Sequence, residues 1–299
     1  MENERTKYNG KLVAVKPIKF IKKQNPNPRP GDITRMEKTK QENLGKIFYD
    51  KSGYKMQIIE YYSKFNVTVK FIDDGTNYIT SANLDNVKAG SVKNPYRTLE
   101  CGGYYGLGPY ICNRYMRPYK VWESMLRRTV TLKEDDPHYS TYKNTTVCEE
   151  WLCCQNFALW YIEYESLLAE GFEYNIDKDI HQWGKKNKIY SPETCCLVPK
   201  EVNDILVNIF LEKTTGLPIG VMKNGNGYSS YITSARYGDH VYLGHYQDPM
   251  EAFQKYREKK LYIIREISTE YYQKGALLEK DYNAIMKIDI YPYIENYEN

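Results

Sequence analysis

The chain is predicted to be a mixed α+β protein built from several small parts. Period-two alternation is confined to short runs, residues 55–61 and 67–71, while helical spacing occupies other stretches, around Val121, Met125 and Leu126 and over 152–168. Strands and helices do not alternate regularly, which disfavours a parallel sheet with crossover helices. At 299 residues the length suits two or three compact units.

Residues 1–43 are expected to form an extended, basic, proline-rich arm. They show no sustained apolar period, and Asn25-Pro26-Asn27-Pro28-Arg29-Pro30-Gly31 reads as polyproline-like chain. Residues 12–15 and 18–21 alternate enough to add a strand to a neighbour. Residues 44–97 read as a small β module: two alternating runs, a turn at Asp73-Asp74-Gly75, a third strand at 77–80 and a short helix at 83–88.

Residues 98–213 are expected to form a helical core. The glycines of Cys101-Gly102-Gly103-Tyr104-Tyr105-Gly106 lack the GK[ST] of a phosphate loop and mark a hairpin or linker. Helices follow over 119–170, interrupted at Asp136-Pro137. A β finger spans 176–200 with Lys185, Lys186 and Lys188 at its tip, and a helix spans 202–211. Past the Thr214-Thr215-Gly216-Leu217-Pro218 linker, 214–268 should hold a three-stranded sheet and a helix. Residues 269–299 should extend the helical layer to 280 and end in an acidic tail, strand-forming at 285–293.

Net charge is +4, from 42 Lys and Arg against 38 Asp and Glu, which is mild for a dedicated nucleic-acid binder. The chain has 31 tyrosines. Tyrosine suits interfaces and base stacking, and it also follows from AT-rich codon usage. Seven cysteines without a signal-peptide pattern suggest free thiols in a reducing compartment. No apolar run approaches the ~20 residues needed to span a bilayer, so no membrane partner is expected.

One block is more specific. Trp122, Met125 and Arg128 stand at W-x-x-M-x-x-R spacing, Val147-Cys148-Glu149-Glu150-Trp151 follows, and Ile176-Asp177-Lys178-Asp179 leads to Tyr190-Ser191-Pro192-Glu193-Thr194-Cys195. This pattern resembles the HNH-endonuclease-like proteins of bacteriophages. Downstream, Pro218-Ile219-Gly220-Val221, the run 228–232, Tyr242-Leu243-Gly244 and Glu251-Ala252-Phe253 look like an AP2-type DNA-binding domain, a three-stranded sheet backed by one helix. The resemblance covers residues 45–265 and implies a host-cytoplasmic location.

In that family a histidine base activates water and a divalent metal stabilises the leaving oxygen. Here Lys178 stands where the resemblance places the histidine, and Thr194 replaces the expected asparagine. A protonated lysine accepts no proton. Asp177, Asp179 and His181, as a displaced base, are the remaining catalytic candidates. A divalent metal enters only if the nuclease reading holds, and otherwise no cofactor is expected. Cys148, Cys153, Cys154, Cys195 and Cys196 lack paired C-x-x-C spacing and read as buried thiols rather than a zinc site.

Two functional readings follow. In the first, a non-catalytic DNA-binding accessory protein uses Lys185, Lys186 and Lys188 on the finger and Lys223, Tyr231 and Arg236 on the sheet. In the second, the protein acts by protein contact, as an inhibitor of a large host defence complex or as a virion component. The extended arm and tyrosine-rich surface suit strand addition and wide interfaces. Self-association is open in both. The sequence favours DNA narrowly.

Overall fold

The computed structural model describes residues 29–206 and 216–293, Ala235 and Tyr237 excepted. The expected strands at 12–15 and 18–21, the end of the 202–211 helix and the last acidic residues lie outside them. The chain divides into two units, one running to Glu100 with Tyr104–Gly108, the other formed by Cys101–Gly103 and everything from Pro109.

The first unit opens on α1 (Pro30–Asn43). This corrects the extended arm over these positions: Pro30 fits the first helical turn, where its missing N–H is not needed, and no further proline interrupts the next thirteen residues. The strands β1 (Ile47–Tyr49), β2 (Lys55–Ser63), β3 (Asn66–Phe71) and β4 (Ile79–Ala82) form one sheet in sequence order, followed by α2 (Leu84–Lys88). Within residues 55–61 the alternation read from the sequence is broken once. The register of β2 against β3 shifts between Ile58 and Glu60, so Met56, Ile58 and Tyr61 face the core while Ile59 is exposed. Val67, Val69, Phe71, Leu84 and Val87 complete that core.

In the second unit α3 (Arg117–Arg127) buries Tyr119, Trp122, Met125 and Leu126 on one face. The Trp122 indole donates to the Trp151 carbonyl at 2.7 Å, fixing α3 to the chain that leads into α5 (Cys154–Glu165). Gly103 is required at this junction, because a Cβ there would meet the Trp122 ring at 2.5 Å and the Leu152 carbonyl at 2.7 Å. Between the two helices lie α4 (Tyr139–Tyr142) and β5 (Thr145–Val147).

The expected finger is not one hairpin. The strand β6 (Tyr174–Asp177) pairs antiparallel with β8 (Cys196–Pro199), while β7 (Lys188–Tyr190) pairs parallel with β5. Gln182 is the reason. Its amide donates to the Lys178 and Ile189 carbonyls and accepts from the Ile189 N–H, holding a tight turn that sends β7 away from β6.

After α6 (Lys200–Leu206) come β9 (Val221–Asn224), β10 (Gly227–Ser234) and β11 (Gly238–Tyr246), an antiparallel sheet with β10 central. The 25-residue α7 (Pro249–Gln273) packs on it, burying Phe253, Tyr256, Ile263, Ile264 and Ile267. Gly220, at φ +77°, lets the chain pass directly over the Tyr256 ring. The helical layer continues as α8 (Glu279–Met286) after a break at Gly275. The expected strand at 285–293 is absent. Met286 ends α8, and the following chain is pinned by Asp289, whose carboxylate pairs with Arg257 and whose carbonyl accepts the Trp183 indole.

Candidate functional site

The end of β6 places Asp177, Lys178 and Asp179 at the wall of a cleft of about 440 Å³. Asp177 Oδ1 accepts the N–H groups of Asp179 and Ile180 at 2.7 and 2.8 Å, starting the turn that Gln182 completes. Burial, reinforced by the charge of Asp179, pushes the Asp177 carboxyl up to about 6.

Asp179 is held differently. Burial opposes its charge, but Lys178 and Lys188 both bind its carboxylate and keep it below the usual carboxylate range. The Lys178 ammonium, with its side chain only 9% exposed, also lies 5.0 Å from the Tyr142 ring centre and 5.8 Å from that of Tyr190. Arg128 reaches the same place from α3, donating to the Tyr142 hydroxyl and the Ser124 carbonyl. Arg117, Lys120, Asn175 and Asn203 line the rest. The cleft therefore presents cations and amides around three carboxylates, Glu173 paired with Arg117 at 3.6 Å and Asp177 and Asp179 already bonded to the protein. That arrangement attracts an anion.

His181 does not join Asp177 and Asp179 as a base. Its Nε2 lies 2.7 Å from Asp281 Oδ1, and the Tyr164 hydroxyl donates to the other oxygen of Asp281. Cys196 Sγ, His181 and Asp281 have ligand atoms within 4.8 Å of one another, three of the donor types zinc accepts. Both Asp281 oxygens, however, serve this hydrogen-bond network. Asp281 was not foreseen, because the sequence reading ends the helical layer at 280 and leaves Asp281 at the start of an acidic tail. Thr194 shapes its own turn, donating to the Ile189 carbonyl at 2.6 Å and bonding the Ser191 hydroxyl.

The six residues read as DNA contacts separate. Lys185 and Lys186 are exposed on the loop before β7. Lys188 is drawn inward to Asp179 with its side chain 10% exposed. Arg236 is bidentate to Glu201, reaches Glu270 as well, and is held firmly protonated by both. Lys223 lies over the Tyr228 ring and alternates to the same face as the buried Val221. Tyr231 packs against Tyr242 across the strand pair, ring centres 5.5 Å apart.

Tyr231 and Tyr242 belong to the sheet face turned away from α7, with Met222 and the chain Asn224–Ser229–His245, linked at 2.9 and 3.3 Å. Met222 and Tyr242 are 53% and 56% exposed. Among the described side chains this face has no lysine or arginine. No helix of the described residues is long and apolar enough to cross a membrane. No protein-family model, curated protein or solved structure matches the chain.

Proposed function

We propose that the protein is a non-catalytic binding protein that acts by gripping a protein partner with the open face of β9–β11. The observation that favours this is the composition of that face: methionine, two tyrosines and hydrogen-bonding Asn, Ser and His, with no lysine or arginine among the described side chains to neutralise phosphate. DNA affinity rests mainly on such cations, whereas aromatic and methionine side chains dominate protein interfaces. The three-stranded sheet backed by α7 is the arrangement expected from the AP2-type resemblance, and Lys178 bonded to Asp179 is consistent with an HNH-like core whose chemistry is lost. On this reading the protein is phage-encoded, and its partner is a large host complex such as a defence assembly, or a virion component.

Affinity capture from infected cells, with nuclease treatment before elution, tests it. Capture should yield a nuclease-resistant protein partner that a Met222→Glu/Tyr242→Glu variant no longer retains. A partner lost on nuclease treatment, or retained by the variant, would reject the proposal. A second reading, DNA-binding accessory function, is favoured by the cleft lined by Arg117, Lys120, Arg128 and Lys178. It requires a mobility shift at physiological salt that weakens steeply as salt rises.

A further inference from the structure

Helical spacing builds one wall of the cleft at the end of β6. Arg117, Lys120, Ser124 and Arg128 stand at i, i+3, i+7 and i+11, so they form one stripe along α3, turned away from the buried Trp122, Met125 and Leu126. The facing wall brings Asn175 and Ile176 from β6 and Asn203 and Leu206 from α6.

The charges of the cleft are not equally engaged. Arg117 donates to the Tyr161 hydroxyl at 3.0 Å and to the Tyr174 carbonyl, and it pairs with Glu173 at 3.6 Å. Lys178 and Lys188 share Asp179, while the buried Asp177 accepts two backbone N–H groups. Lys120 and Arg128 remain, and among the described residues neither pairs with a carboxylate. Arg128 is half-buried. Its Nε donates to the Ser124 carbonyl and its Nη1 to the Tyr142 hydroxyl, which leaves Nη2 without a hydrogen-bond partner among the described residues. A cation drawn out of water without a counter-charge costs stability, and a bound anion supplies that charge.

Geometry restricts the anion. The Nε bond to Ser124 turns the Arg128 guanidinium back by one helical turn, toward the exposed Lys120 and over the Ser124 position. Two cations and a hydroxyl on one stripe are all donors, which suits the acceptor-only oxygens of a phosphate monoester dianion. The volume of about 440 Å³ is that of a small-molecule site. Beyond the stripe, the amides of Asn175 and Asn203 each offer a donor and an acceptor, and Val121, Ile176 and Leu206 add apolar surface. Those are the contacts a heterocyclic base requires.

We propose that this cleft binds a mononucleotide, its phosphate held by Lys120, Ser124 and Arg128 and its base set against Asn175, Asn203 and Leu206. The site is distinct from the open face of β9–β11 and stands whether or not that face grips a protein.

Isothermal titration calorimetry of the full-length protein at physiological salt, with each of the adenosine, guanosine, cytidine and uridine 5′-monophosphates, tests this. At least one should bind once per chain, and about tenfold or more tighter than its own nucleoside and than inorganic phosphate. Lys120→Ala, at an exposed position without an ion pair, should weaken that binding about tenfold. Arg128→Lys keeps the charge but loses the fork, and should weaken it as well. The proposal is overturned by no binding of any of the four at about 1 mM, or by a nucleotide held no tighter than inorganic phosphate. Unchanged affinity in both variants would also overturn it. So would a single-stranded oligonucleotide that displaces the nucleotide at far lower concentration, which would assign the cleft to nucleic acid.

Discussion

His181 Nε2 lies 2.7 Å from Asp281 Oδ1, joining the turn after β6 to the first turn of α8 across one hundred residues of chain. Asp281 is fully buried, and its second oxygen accepts the Tyr164 hydroxyl, so one carboxylate satisfies donors from two other elements. Removing it strands both. Asp281→Ala is expected to lower stability by about 3 kcal/mol, read from urea unfolding, with Asp281→Asn losing less because its amide oxygen still accepts one bond. Equal stability of wild type and Asp281→Ala would show that the network is not structural.

Lys260 provides a pH-dependent counterpart. It is buried on α7, and desolvation lowers its pKa from 10.5 to about 8. The folded state releases this proton more readily than the unfolded chain. The resulting penalty on folding is therefore full below pH 8 and fades as pH rises toward 10.5. Lys260→Met should be more stable than wild type by up to about 3 kcal/mol at pH 7, the gap closing by about pH 10.5. A constant difference from pH 6 to 10.5 would exclude the mechanism.

Supercoiled plasmid incubated with Mg²⁺ or Mn²⁺ should remain intact, because Lys178 and Lys188 neutralise Asp179, and the Asp177 carboxylate caps a turn. Nicking that disappears in both Asp177→Ala and His181→Ala would restore the displaced-base reading.

Arg236→Ala should cost about 1 kcal/mol through lost ion pairs with the partly exposed Glu201 and Glu270, and should leave any DNA affinity unchanged. A fall in the salt dependence of DNA binding by about one counterion would instead assign Arg236 to phosphate.

Gly103→Ala should destabilise by about 1 to 3 kcal/mol in the same urea assay, because the added methyl overlaps the Trp122 ring and the backbone at Leu152. A neutral effect would mean that the α3 junction yields.

Much of the element order was legible locally. The alternation at 55–61 and 67–71, the apolar face of Trp122, Met125 and Leu126, and the turn at residues 73–75 are all short-range signals. What sequence reasoning missed depends on partners distant in sequence. Proline spacing in 25–31 read as extended chain, yet only Pro30 lies within α1, at a position where proline starts a helix. Lys185, Lys186 and Lys188 read as one basic tip because nothing local shows that Asp179 draws Lys188 inward while Lys185 and Lys186 stay exposed. Arg236 read as a phosphate ligand because Glu201 and Glu270 lie 35 and 34 residues away on either side. His181 looked free to act as a base only while Asp281 was out of view.

The same His181–Asp281 link sets the order in which the molecule can be completed during synthesis. The turn after β6 leaves the ribosome long before α8, so His181 must wait for the whole three-stranded sheet and the 25-residue α7 to be made before its acceptor arrives. A cut at the linker before the sheet, the natural place to separate two modules, would remove that acceptor, along with the Asp289 carbonyl that receives the Trp183 indole. The two halves of this unit are thus folding partners rather than separable beads, and a fragment ending near residue 213 would carry an unfinished core.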